Sequence, residues 1–101
     1  MNKLDTLIDE WFYDRGIAQN GTPLGQYTKV LEEVQEILDG ISRGNIDDIE
    51  DGIGDTYVTL RGLCLILHIN FDVAVEKAYN EIKDRKGYLR NDGVFVKEEV
   101  N

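Results

Sequence analysis

Apolar residues recur along the chain at three- and four-residue intervals, the spacing that lines one face of a helix. The first stripe, Leu4, Leu7, Ile8, Trp11 and Phe12, stops near Gly16, a residue suited to closing a helix. After the loop GIAQNG, Thr22 supplies an N-cap and Pro23 the first helical position. Leu24, Tyr27, Leu31, Val34 and Leu38 then carry a second helix of about 16 residues to Gly40. ISRGN is a short turn. Asn45 with Asp48 resembles a capping box and opens a third helix from about Ile46 to His68, striped by Ile46, Ile49, Ile53, Leu60, Leu63 and Leu67. A fourth helix, capped by Asn70 or Asp72, carries Phe71, Val75, Ala78, Tyr79 and Ile82. It is expected to end at Gly87 after KDRK, basic residues that suit the negative end of the helix dipole. The tail GYLRNDGVFVKEEVN predicts a small hairpin or extended arm around NDG. The pattern is that of an all-α fold of four helices.

The third helix poses a question. Its stretch IEDGIGDTY sets Gly52 and Gly54 among clustered carboxylates, although glycine costs a helix interior about 1 kcal/mol relative to alanine. Lacking side chains, the two glycines allow close approach of a neighbouring helix or a ligand to the acid-bearing turn.

A length of 101 residues predicts a single domain. A chain this small leaves much apolar surface uncovered, so a homo-oligomer is expected. The net charge of −9 opposes docking on nucleic-acid phosphates, while 42% hydrophobic residues exclude a disordered acidic tail. Cys64 is the only cysteine, which excludes an internal disulfide and a cysteine-rich zinc site. Acids at Asp5, Asp9 and Glu10 interrupt what a secretory leader would need, and the longest apolar run, Leu63 to Leu67, falls far short of a membrane span. A cytoplasmic protein is expected, without membrane or nucleic-acid partners.

Acids then stand out by their spacing. Glu32, Glu33 and Glu36 fall on one flank of the second helix, and Asp48, Asp51 and Asp55 on one flank of the third. Solvated acidic faces are the plain explanation of such spacing. Like charges at this spacing repel, however, and both sets adjoin the apolar stripe. Oxygen ligands converging from two helices suit Mg²⁺ or Mn²⁺.

Together, Trp11, Arg15-Gly16-Ile17, Gln26, Lys29, LEEVQEI, DGIGDTYVTL and AYNEIKDRKG resemble the MazG-like family of all-α nucleoside triphosphate pyrophosphohydrolases, particularly its short phage-type members, over roughly residues 8 to 97. The resemblance implies a four-helix bundle completed by oligomerisation, as a homodimer or homotetramer. The family's acid pattern is EExxE followed by ExxD. Glu32, Glu33, Glu36 and Asp55 match it, whereas Gly52 stands at the first acid of the second half. Asp51, on nearly the same flank, can substitute with a shifted reach, and Glu50 is a poorer candidate.

What the resemblance implies is Mg²⁺-dependent hydrolysis of a nucleoside triphosphate to the monophosphate and pyrophosphate. Glu33, Glu36, Asp51 and Asp55 would be metal ligands, and Glu32 would orient or deprotonate the attacking water. Lys29, Lys83, Arg85 and Lys86 would contact phosphates, while Asn80 and Gln26 would hydrogen-bond substrate and Trp11 would stack on a base. A core role for Trp11 and helix-dipole roles for the basic residues are the structural alternatives. Cys64 and His68, four residues apart without further ligands, are assigned to core packing. The rival from another class is a non-enzymatic acidic helical module, either a phosphate mimic or an inactive protein of the same fold.

Overall fold

The computed structural model describes residues 2–99. Its elements are α1 (Lys3–Asp14), α2 (Ile17–Asn20), α3 (Pro23–Arg43), α4 (Ile46–Leu67), α5 (Phe71–Ile82), β1 (Gly87–Leu89) and β2 (Phe95–Lys97). The fold is all-α with a short two-stranded arm, and its residues divide into two compact units, Met1–Phe71 and Asp72–Asn101.

Helix starts follow local chemistry. Side chains of Asn2, Thr22 and Asn45 accept the amide hydrogens of Asp5, Gly25 and Asp48 at 2.9, 3.1 and 3.1 Å, and Pro23 occupies the first turn of α3. Helix ends depart from the sequence reading in three places. GIAQNG contains a helical turn, α2, entered through Gly16 at φ 75°. The second predicted helix continues past Gly40 to Arg43 and closes at Gly44, which adopts φ 64°. Gly40 is an interior residue because α4 crosses there: a Cβ on it would lie 3.0 Å from Ile49 Cγ1. Finally, α5 ends at Ile82, so Lys83, Arg85 and Lys86 lie beyond the helix and not in its last turn.

In the first unit α3 and α4 form an antiparallel hairpin across Gly44 and Asn45. Gly40 meets Ile49, Ile37 meets Gly52, and Gln26 Nε2 donates to the Thr59 carbonyl at 3.0 Å, so residue numbers fall along one helix as they rise along the other. The opening question has its answer at Gly52, where a Cβ would lie 2.8 Å from Ile37 Cγ1. The neighbouring helix is α3 of the same chain. Gly54 has no atom within 4 Å of the corresponding point, so its lack of a side chain serves no such contact.

A buried polar network ties α1 to α4. Arg61 donates through Nε to Asp9 Oδ1 at 2.9 Å and through Nη2 to Asp9 Oδ2 at 2.8 Å, and its Nη1 lies 3.7 Å from Asp5 Oδ2. The Tyr57 hydroxyl donates to Asp5 Oδ1 at 2.7 Å, and the Phe71 ring packs beside both Tyr57 and Arg61. The bond to Asp5, joined by burial, pushes the Tyr57 pKa up. Among the described residues the buried hydrophobic ones are Phe12, Ala18 and Val30. The predicted stripe of α3 is not among them: Leu24, Tyr27, Leu31, Val34 and Leu38 are exposed.

In the second unit β1 and β2 pair antiparallel with Tyr88 opposite Val96. Their turn is closed by Gly93 at φ 86° and by the Asp92 carboxylate, which accepts from the Val94 amide at 3.2 Å. The arm expected around NDG is therefore a hairpin. Among the described residues, no single helix is long and apolar enough to cross a membrane.

Candidate metal centre

Glu33 and Glu36 of α3 and Asp55 of α4 converge on one side of the hairpin, with one carboxylate oxygen from each lying within 4.8 Å of the others. The close helix approach at Gly52, one turn before Asp55, brings the two flanks together. Oxygens on adjacent corners of an Mg²⁺ octahedron stand about 3 Å apart and opposite ones about 4.2 Å, so seating an ion would draw the three carboxylates to within those distances.

Glu33 Oε2 is buried and, among the described residues, has no hydrogen-bond partner. A carboxylate oxygen withdrawn from water without a partner is costly. Burial, a hydrogen bond shared with Glu36, and the charges of Glu36, Asp55 and Glu32 all push the Glu33 pKa up. The metal-free cluster thus favours a proton where a divalent cation would serve better. Hard oxygen donors, converging charge and an orphaned buried oxygen fit Mg²⁺ or Mn²⁺.

The remaining predicted residues do not share one place. Asp51 is not one of the three converging acids. It lines an adjoining cleft of about 410 Å³ with Glu36, Asp39, Arg43, Asp48 and Asp55, where Arg43 pairs with Asp48 at 3.0 Å. Glu32 is exposed and accepts from Lys29 Nζ at 3.2 Å. Trp11, Gln26 and Lys29 line one apolar cleft of about 430 Å³ with Phe12, Val58 and Thr59. Trp11 is not core: 44% of it is exposed, with its edge against Phe12 and the Arg15 guanidinium over its ring. Asn80, Lys83, Arg85 and Lys86 belong to the second unit, where Arg85 and Lys86 line a cleft of about 320 Å³ with Glu81, Asp84 and Glu98.

Cys64 is half-buried, and burial pushes its thiol pKa up. His68 is a correction to the core assignment: it is exposed and closes α4 in the left-handed conformation at φ 57°.

Sequence reasoning missed Asp39 and Arg43 at the acidic cleft, although both follow Glu36 at helical spacing. It also missed the Asp5, Asp9, Tyr57 and Arg61 network. Its signal was an arginine inside the apolar run TLRGLCLIL, facing two acids four residues apart in the first helix.

No protein-family model matches the chain, and no solved structure matches it. Over 70 residues the chain is 36% identical to an "uncharacterized 18.2 kDa protein in rep-hol intergenic region" of Haemophilus phage HP1 (strain HP1c1). The match covers 69% of this chain and 42% of that protein, so it spans about two fifths of the relative's length.

Proposed function

We propose that the chain is a Mg²⁺-dependent nucleoside triphosphate pyrophosphohydrolase. The observation that carries this reading is the convergence of Glu33, Glu36 and Asp55, with the Glu33 oxygen buried and unpartnered among the described residues. Support comes from the apolar cleft beside it. Lys29 and Thr59 of that cleft lie one helical turn, about 6 Å along each axis, from Glu33 and Asp55. One seam thus offers an apolar chamber at one end and a cation site at the other.

Glu33, Glu36 and Asp55 would hold Mg²⁺, with Mn²⁺ as a substitute. The bound ion would supply neutralisation of the triphosphate oxygens and of the charge that develops on departing pyrophosphate. Lys29 would contribute a second positive charge to the phosphates. In doing so it would release the Glu32 carboxylate, which it now holds at 3.2 Å. Glu32 would then take a proton from water as the water oxygen bonds to the α-phosphorus and the bond from that phosphorus to the bridging oxygen breaks. Trp11 would present its exposed ring to a base. Gln26 is fixed by its bond to the Thr59 carbonyl and keeps Oε1 as an acceptor.

A panel of ribo- and deoxyribonucleoside triphosphates assayed for pyrophosphate with and without Mg²⁺ tests the reading. Metal-dependent release that disappears in Glu33→Gln is expected. The alternative, a non-enzymatic acidic module, is favoured by one observation: with Gly52 in the motif, three acids and not four converge among the described residues. It predicts no release from any nucleotide in the panel.

A further inference from the structure

The apolar cleft beside the triad carries a polar side chain whose orientation is fixed from behind. Gln26 of α3 donates from Nε2 to the Thr59 carbonyl of α4 at 3.0 Å. A carbonyl can only accept, so the amide nitrogen, and not the oxygen, must face α4. Gly62 of α4 leaves room for it: a Cβ there would lie 2.7 Å from Nε2. Oε1 is the end of the amide left to the cleft, and among the described residues no donor is bonded to it.

Burial decides which polar groups of the cleft select a guest. Trp11, Thr22 and Lys29 bring N–H or O–H donors, but all three residues are exposed, so a guest atom that misses them keeps water as a partner. The Thr59 hydroxyl is spent on the Thr56 carbonyl at 2.9 Å. Gln26 is half-buried and shares the cleft with Phe12, Ile17 and Val58. A guest group set against its oxygen is withdrawn from water, so a mismatch there costs an unmade hydrogen bond.

Nucleobases differ at this point. Adenine and cytosine carry an exocyclic amino group, a donor, where hypoxanthine and uracil carry a carbonyl oxygen, an acceptor. Ring size and stacking surface are the same within each pair. Against Oε1 the amino group is paired, while the carbonyl sets two acceptors together. A keto base can offer its ring N–H instead only by sliding along the cleft, which carries its carbonyl oxygen beside Oε1. Sites built to hydrogen-bond one partner reject the unpaired analogue strongly.

We propose that this cleft takes bases with an exocyclic amino group, and that Gln26 Oε1 is the atom that selects them. The proposal rests on the reading of the cleft as the base site and not on hydrolysis. Trp11 is the only tryptophan, so its single indole N–H resonance reports the cleft. Titration of the full chain in Mg²⁺ with AMP, IMP, CMP and UMP, monophosphates that a pyrophosphohydrolase does not consume, tests it. AMP should bind at least about tenfold tighter than IMP, and CMP than UMP. Gln26→Leu, close in size but without the acceptor, should bring both ratios to about one. Equal affinities within the pairs, tighter binding of IMP or UMP, or an amino preference that survives Gln26→Leu overturns the proposal. If Gln26→Leu does not fold, the wild-type ratios decide alone. Pyrophosphate release without an amino preference defeats this proposal and leaves the enzymatic reading standing, whereas amino-selective binding without release does the reverse. Binding of none of the four overturns the base site and the proposal with it.

Discussion

Ile37 of α3 lies so close to Gly52 of α4 that a Cβ at position 52 would stand 2.8 Å from Ile37 Cγ1 and 3.2 Å from the Ile37 nitrogen. The second distance involves backbone, which a rotamer change cannot relieve. The glycine is thus a condition for the spacing of the two helices, and that spacing brings Asp55 to Glu33 and Glu36.

Gly52 and Gly54 should respond to alanine with opposite signs. Alanine adds up to about 1 kcal/mol of helix propensity at either position. At Gly54 nothing lies within 4 Å of the new methyl group, so Gly54→Ala should stabilise by about 0.4–1 kcal/mol. At Gly52 overpacking of about 1–3 kcal/mol should outweigh the gain, and Gly52→Glu should be worse. Urea unfolding of the two alanine variants reads the signs directly. A stabilised Gly52→Ala would contradict the packing account.

Removing a partner of Arg61 should cost more than any surface change. Asp9→Asn leaves the buried guanidinium without its two-point partner and should destabilise by about 3–5 kcal/mol. Tyr57→Phe removes one hydrogen bond to buried Asp5 and should cost about 1–3 kcal/mol. Thermal unfolding with both variants checks the order, which is the prediction.

The pH dependence of the metal-free protein follows from Glu33. Its pKa is raised in the fold, chiefly by burial and then by Glu36, so the fold favours the protonated form. That contribution is fully present below the unfolded value of about 4.3 and is lost as pH rises through the raised folded value. Denaturation without metal should therefore show stability falling across that window. Glu33→Gln should remove the fall, and saturating Mg²⁺ should offset it at neutral pH. A flat wild-type profile without metal would contradict the buried-acid account.

Asp55 and Asp51 should separate in metal binding. Asp55 is one of the three acids within 4.8 Å, whereas Asp51 lines the neighbouring cleft. In a Mn²⁺ titration Asp55→Asn should abolish saturable binding, and Asp51→Asn should weaken it by less than about tenfold, or 1.4 kcal/mol. Equal losses would place Asp51 among the ligands.

Much of this was legible in the sequence because it is local. Thr22-Pro23 and Asn45 start helices where they should, NDG makes its hairpin, and acids three and four apart share flanks. What escaped is what depends on a second helix. Gly40 reads as a stop until α4 crosses it at Ile49. The stripe from Leu24 to Leu38 marks a helix, yet Val30, Ile37 and Gly40 are the residues that face α4 and the stripe is exposed. Arg61 reads as a stray charge in an apolar run until Asp5 and Asp9 of α1 close around it.

The most direct test of the metal-site reading is isotopic. Each nucleoside triphosphate that proves reactive is incubated with Mg²⁺ in ¹⁸O-labelled water, and the products are resolved by ³¹P NMR and mass spectrometry. Water attack at the α-phosphorus predicts one ¹⁸O in the monophosphate, unlabelled pyrophosphate, and loss of both products in Glu33→Gln. Label in inorganic phosphate, or Mg²⁺-independent turnover that survives Glu33→Gln, would contradict it, as would a folded chain that binds Mg²⁺ and cleaves no nucleotide.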